Sequence, residues 1–133
     1  MRGAAPRIPK GSGRAVKKHE THPYTVMTVC TGNICRSPMG EIILRHEFEQ
    51  RGLGDAVRVE SSGVSDEEYG NPIDPRAVKV LRERGYAIPA KHFAHRITRN
   101  EIADTDLFLP MTASHMNALL HMLPLSKRSD VHM

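Results

Sequence analysis

T-V-M-T-V-C-T-G-N-I-C-R-S-P-M-G-E, residues 25 to 41, changes character twice in seventeen positions. Thr25 to Val29 are β-branched or apolar and predict a short buried strand. Cys30 follows, and then a tight loop from Thr31 to Cys35. The loop contains Gly32 and Asn33, residue types that tolerate left-handed backbone angles. Arg36, Ser37 and Pro38 close it, and Pro38 suits the first position of a helix.

A loop between a strand end and a helix start turns its N–H groups inward and adds the positive end of the helix dipole. Such a concavity suits a dianion. Thr31, Gly32, Asn33, Ile34, Cys35, Arg36 and Ser37 are therefore the candidate phosphate-binding residues. Arg36 offers a planar fork for two phosphate oxygens, which Lys cannot copy. Cys30 lies at the base, facing the same amides, and that field favours the nucleophilic thiolate. Ser37 can donate to the sulfur and help it leave. Cys30 and Arg36 are the candidate catalytic residues.

A length of 133 residues allows one domain with one core. The hydrophobic share, 39%, is ordinary for a water-soluble domain, and no apolar run approaches membrane-spanning length. Two cysteines in one loop make no disulfide framework. They point to a reducing cytoplasm, with a reversible Cys30–Cys35 disulfide as a protected state. No further ligands have the spacing of a metal site, and no cofactor is implied.

The net charge of +4 is unevenly placed. Residues 1–22 hold six Lys or Arg and one acid, which leaves 13 basic and 14 acidic side chains for residues 23–133. The first 22 residues are Gly/Pro-rich and weakly hydrophobic, so a disordered basic leader is expected there, with the folded domain over 23–133. The leader lacks the apolar core of a signal peptide. Nothing reads as a nucleic-acid-binding domain or a membrane span.

Pro38 to Arg51 predicts a helix with Met39, Ile42, Ile43 and Phe48 inward and Gly52 at its C-terminal cap. Val57 to Ser62 reads as a second strand. Strand, helix, strand of this length implies a right-handed βαβ unit with parallel strands. Gly63 to Pro72 is a polar loop. Asp74 then caps a helix with Pro75 at its first position, stopped by Gly85. Thr98 and Glu101 match a capping box. Thr105 to Met111 reads as strand three, and Thr112 or Ser114 caps a last helix stopped by Pro124. The alternation indicates a small three-layer α/β sandwich with a central parallel sheet, its ligand site at the carboxyl ends of the strands.

The string V-C-x-G-N-I-C-R-S-P-M at the head of the domain resembles the phosphate loop of the low-molecular-weight protein tyrosine phosphatases. The resemblance runs from about Tyr24 to about Pro124. E-S-S-G at Glu60 to Gly63 is similar to the family's E-S-A-G, which implies that Ser61 hydrogen-bonds Asn33. H-F-A-H-R-I-T from His92 is similar to H-x-A-R-x-I-T, which makes His92 a second supporting residue; His95 falls where the family usually has Arg. The implied activity is hydrolysis of phosphotyrosine in proteins, or of small aryl phosphates, through a cysteinyl-phosphate intermediate.

Two departures accompany the resemblance. The family's aromatic wall of the phenyl-ring slot falls at Glu67, with Tyr69 as the nearest aromatic substitute. The family's general acid is an Asp of a late Asp-Pro pair, and none is found here. Asp74-Pro75 has the register of a helix cap, and Asp130 is followed by Val. Losing a positioned acid removes ~10²–10⁴-fold of rate, so feeble activity is expected. The resemblance also implies a C-terminally truncated member lacking the last strand and helix, with an uncovered sheet edge through which it could dimerise. Two other readings stay open: a non-catalytic phosphate or phosphotyrosine binder, and an arsenate reductase. Thioredoxin-coupled versions of the latter need cysteines downstream of Cys35, and the chain has none.

Overall fold

The computed structural model describes residues 23–133. The expected basic leader, residues 1–22, lies outside them. Strand β1 (Tyr24–Cys30) leads through the loop into helix α1 (Arg36–Gln50), and β2 (Val57–Gly63) follows. Then come α2 (Pro75–Glu83), α3 (Arg99–Asp104), β3 (Leu107–Pro110), α4 (Ala113–Met122) and a single-turn helix α5 (Leu125–Arg128). The strands pair in the order β2-β1-β3, all parallel. In register, Tyr24 faces Val57 and Cys30 faces Gly63 along one side of β1, while Val26 faces Leu107 and Val29 faces Pro110 along the other. The central strand therefore ends in Cys30.

Alternation along β1 divides the core, because successive side chains point to opposite faces. Met27 and Val29 join Phe108, Leu119, Leu123, Val131 and Ile97 in one cluster, under α4. Val26 joins Val57 and Val59, with Leu44 and Phe48 of α1 packed against them. A third cluster clamps α1 to α2 through Ile42, Ala77 and Leu81. Helices on both faces of a parallel sheet make the three-layer α/β sandwich.

Helix α1 departs from the expected pattern at its start and in the layout of its apolar residues. It begins at Arg36, with Cys35 as an N-cap that makes no side-chain cap bond, so Pro38 is its third residue. Its apolar residues form two flanks: Leu44 and Phe48 face the sheet, while Met39, Ile42 and Ile43 face α2. A helix held between a sheet and another helix needs both. Gly52 and Gly85 take positive φ just beyond α1 and α2, as helix-stopping glycines do. Asp74 caps α2, Thr98 and Glu101 form the reciprocal capping box of α3, and Thr112 caps α4. Pro124 ends α4 and also opens α5, which the sequence reading did not anticipate.

The outer side of β3 is not bare. The Phe108 N–H donates to the Asp130 carbonyl at 2.9 Å, and the His132 N–H donates to the Phe108 carbonyl at 2.9 Å. Val131 forms a parallel bridge with Phe108 and is buried in the same cluster. This isolated bridge satisfies the backbone of Phe108 on the edge that had been expected to stand open.

Phe108 ties the two sides of this arrangement together, being fully buried between β1 and α4. Phe108→Ala should lower unfolding free energy by about 3–5 kcal/mol in urea titration; a loss under about 1 kcal/mol would show that the cluster is loosely packed.

Candidate active site

The carboxyl end of β1 delivers Cys30 to the floor of a cavity of about 270 Å³, whose walls include Thr31, Ile34, Arg36, Glu67, Glu68 and His115. The loop above it is held from outside through its carbonyls. The Val64 N–H donates to the Cys30 carbonyl, Ser65 to that of Thr31, and Asp74 to that of Ile34, at 2.9, 3.0 and 2.7 Å. Those bonds fix the loop to the segments after β2 and before α2. The Asn33 N–H reaches Cys30 Sγ at 3.3 Å.

Asn33 holds the bend. Its φ is +62°, in the left-handed region that favours Gly and Asn, and its side chain is fully buried. A buried amide is stable only if its polar atoms find partners. Nδ2 donates to Ser37 Oγ at 2.9 Å and to Ser61 Oγ at 3.0 Å, while Oδ1 accepts from the His95 backbone N–H at 3.2 Å. The Asn33 carbonyl accepts from His92 Nε2 at 2.7 Å, which assigns the proton to that nitrogen. The two supporting residues named from sequence, Ser61 and His92, thus meet on one residue.

A further relay runs behind them. Ser61 Oγ donates to Glu41 Oε1, Glu41 pairs with Arg45, and Arg45 also donates to the Val59 carbonyl at 2.7 Å. Because Ser37 Oγ accepts from Asn33, its own hydrogen is free to point at Cys30 Sγ, 3.0 Å away. Gly63 completes the fit. A Cβ there would lie 2.5 Å from the Thr31 carbonyl, so β2 can end against the loop only without a side chain.

Arg36 is exposed and makes no ion pair among the described residues, so its guanidinium is available to an anion in the cavity. Cys35 is an exposed free thiol at the rim and Cys30 a buried one. Glu67 stands in the cavity wall, as register predicts, but Tyr69 does not. The Asp66–Tyr69 turn carries Tyr69 outward to 75% exposure and folds the stem of Glu68 back over Gly32. Neither Asp considered for proton transfer reaches the site. Asp74 holds Arg76 with its carboxylate, which keeps it ionised below the ordinary carboxyl range. Asp130 acts on Tyr24: burial raises that phenol, and Asp106 and Asp130 add to the effect. Tyr24 begins β1, about 20 Å from Cys30 at the usual strand rise.

Glu41, Arg45, the His95 backbone and His115 were missed by sequence reasoning. Glu41 and Arg45 carried a signal, an acid–base pair four residues apart in the helix after the loop. His95 acts through its main chain, which no side-chain pattern reveals.

A buried cysteine and an exposed arginine line one cavity in a loop at the carboxyl edge of a three-stranded parallel sheet with helices on both faces. That defines an open-sheet α/β protein with its cavity at the strand ends. Residues 25–133 match the low molecular weight phosphotyrosine protein phosphatase family, and the chain belongs to it. It is 39% identical over 101 residues to a low molecular weight protein-tyrosine-phosphatase of Streptomyces coelicolor, covering 76% of this chain and 60% of that one. It is 43% identical over 97 residues to low molecular weight protein-tyrosine phosphatase A of Mycobacterium bovis, covering 73% and 58%. Among solved structures it resembles YfkJ from Bacillus subtilis, with a TM-score of 0.77 and 29% identity over 82% of this chain and 68% of that one. The chain thus spans about three fifths of the length of the named relatives.

The His95 side chain bonds Glu101 at 2.8 Å. That bond raises the imidazole above its ordinary 6.5 against the opposing effect of burial. Burial alone would raise Glu101, but bonds from His95 and Thr98 outweigh it and hold the carboxyl below its usual 4.5. The His95 contribution to stability is complete below pH 6.5 and is lost as pH rises through its higher folded value. The Glu101 contribution is present above pH 4.5 and is lost as pH falls through its lowered one. His95→Gln should therefore flatten the decline of Tm above pH 6.5; parallel declines in both proteins would contradict the pairing.

Proposed function

We propose that this protein hydrolyses phosphate monoesters of tyrosine in proteins, or of small aryl alcohols, through a phosphate transiently bound to Cys30. The observation that carries the reading is the pair of groups converging on one buried sulfur, the Asn33 N–H at 3.3 Å and Ser37 Oγ at 3.0 Å. Both are placed to donate to a sulfur that attacks and later departs.

In this scheme the Cys30 sulfur bonds to phosphorus as the ester P–O bond breaks. Arg36 and the amides of Thr31 to Ser37 hold the equatorial oxygens, where charge is spread in the transition state. Water then breaks the S–P bond and releases inorganic phosphate, with the Ser37 hydroxyl donating to the departing sulfur. Among the described residues, no Asp lines the cavity. The leaving oxygen must therefore be stable as an anion or take its proton from water. Binding without turnover is disfavoured, because a site that only held phosphate would not need a sulfur at its floor. Among the described residues no helix is long and apolar enough to cross a membrane. In this reading the protein works in the cytoplasm.

p-Nitrophenol should be released from p-nitrophenyl phosphate at about pH 6, faster than phosphate from phosphotyrosine, and Cys30→Ser should abolish both. Equal release by wild type and Cys30→Ser would overturn the scheme. Substrate charge should matter as well. Glu67 and Glu68 place two acids in the cavity wall, so they oppose acidic phosphopeptides and favour basic ones. Charge reversal of both to Lys should raise kcat/KM for an acidic phosphopeptide by roughly fivefold relative to a basic one; an unchanged ratio would remove the acids from recognition.

A further inference from the structure

His115 has no part in the scheme above, yet it is only 5% exposed and forms part of the cavity wall. It sits in the first turn of α4, where its backbone N–H donates to the capping Thr112 hydroxyl at 3.3 Å. Its Nε2 lies 2.9 Å from Thr31 Oγ1, on the residue next to Cys30. Its Nδ1 is buried with no hydrogen-bond partner. A buried ring nitrogen normally has one, and that partner fixes the tautomer. No partner on Nδ1 fixes this one, so the tautomer is set only by the bond that Nε2 makes with Thr31 Oγ1.

The charged and titratable groups around the same cavity are Arg36 from α1, Cys30 and Cys35 from the loop, and Glu67 and Glu68 from the segment after β2. Burial, and then the Arg36 charge, hold the imidazole below its ordinary value, so it is neutral at pH 7 while the cradle is empty. A dianion seated on Arg36 would reverse the sign of the field that His115 feels.

We propose that His115 is a positioning residue that takes up one proton from solvent when an oxyanion fills the cradle. The proposal rests on the reading of the loop as an oxyanion site. No covalent bond breaks in the protein; the ring, which already carries N–H on one nitrogen, gains one proton and then carries N–H on both. The imidazolium must then donate from Nε2 to Thr31 Oγ1, since it has no acceptor. The Thr31 hydroxyl hydrogen is thereby turned away from the ring and becomes available to the bound anion. His115 thus converts occupancy of the cradle into one more donor facing it.

The test uses sulfate, a tetrahedral dianion that does not titrate between pH 5 and 8, so its own charge adds nothing to the proton balance. The full chain carries Cys30→Ser, which removes the thiol from that balance. The His115 Cε1–H resonance, assigned by its loss in His115→Gln, is followed by NMR against pH with and without saturating sulfate, while the loop amides report binding. The expected result is that sulfate moves the His115 titration upward. Each unit of rise should appear as a tenfold tightening of sulfate from above the titration to below it, and His115→Gln should lose that pH dependence. Loop shifts with an unmoved His115 titration would overturn this proposal alone. Absence of any loop shift would overturn the oxyanion reading and this proposal with it.

Discussion

Asn33 is buried, carries a left-handed backbone, and uses every polar atom it owns: its N–H on Cys30, its amide on Ser37, Ser61 and the His95 main chain, its carbonyl on His92. A residue so bound has one conformation available, and the loop inherits it. Three segments far apart in the chain, the end of β2, the 92–95 stretch and the first turn of α1, must all be in place before those bonds exist. The cradle is therefore a product of the completed fold rather than of local loop preference. The proposed hydrolysis draws on that rigidity, since donors held in place need not reorganise to face a developing charge.

The strain of the bend is offset within the same cluster. A non-Gly residue in the left-handed region carries a cost, smallest for Asn and Asp. Here the short amide recovers it in two ways: it tolerates the angle, and it reaches the two serines that tie the loop to α1 and β2. Gly63 adds the steric counterpart, since the strand end lies so near the Thr31 carbonyl that a Cβ cannot be placed between them. Hydrogen bonding and close approach thus demand particular residue types at two positions within one site.

Much of this was legible in the chain. A β-branched run before Cys30, turn-prone Gly32 and Asn33, and Pro38 near a helix start marked both the tight loop and the parallel sheet around it. Asp74, Thr98 and Thr112 announced their helices, because capping is written in a few local residues. What stayed hidden depends on tertiary geometry. Helix α1 starts two residues earlier than Pro38 suggested, behind an N-cap, Cys35, that makes no side-chain bond and so leaves no local capping signal. Tyr69 seemed the natural aromatic wall, but a turn directs it to solvent and presents carboxylates instead. His115 was invisible because its only local trait is a place in the first turn of a helix. Its meeting with Thr31 spans 84 positions of sequence.

The account stands or falls on Cys30 as the atom that receives phosphate. Wild-type protein mixed with p-nitrophenyl phosphate and stopped by a rapid denaturing quench can be digested and weighed by mass spectrometry. One phosphate on the peptide bearing Cys30, appearing in step with p-nitrophenol and absent from Cys30→Ser, is the predicted result. Release of p-nitrophenol with no phosphate on that peptide, or with phosphate on another residue, would contradict it.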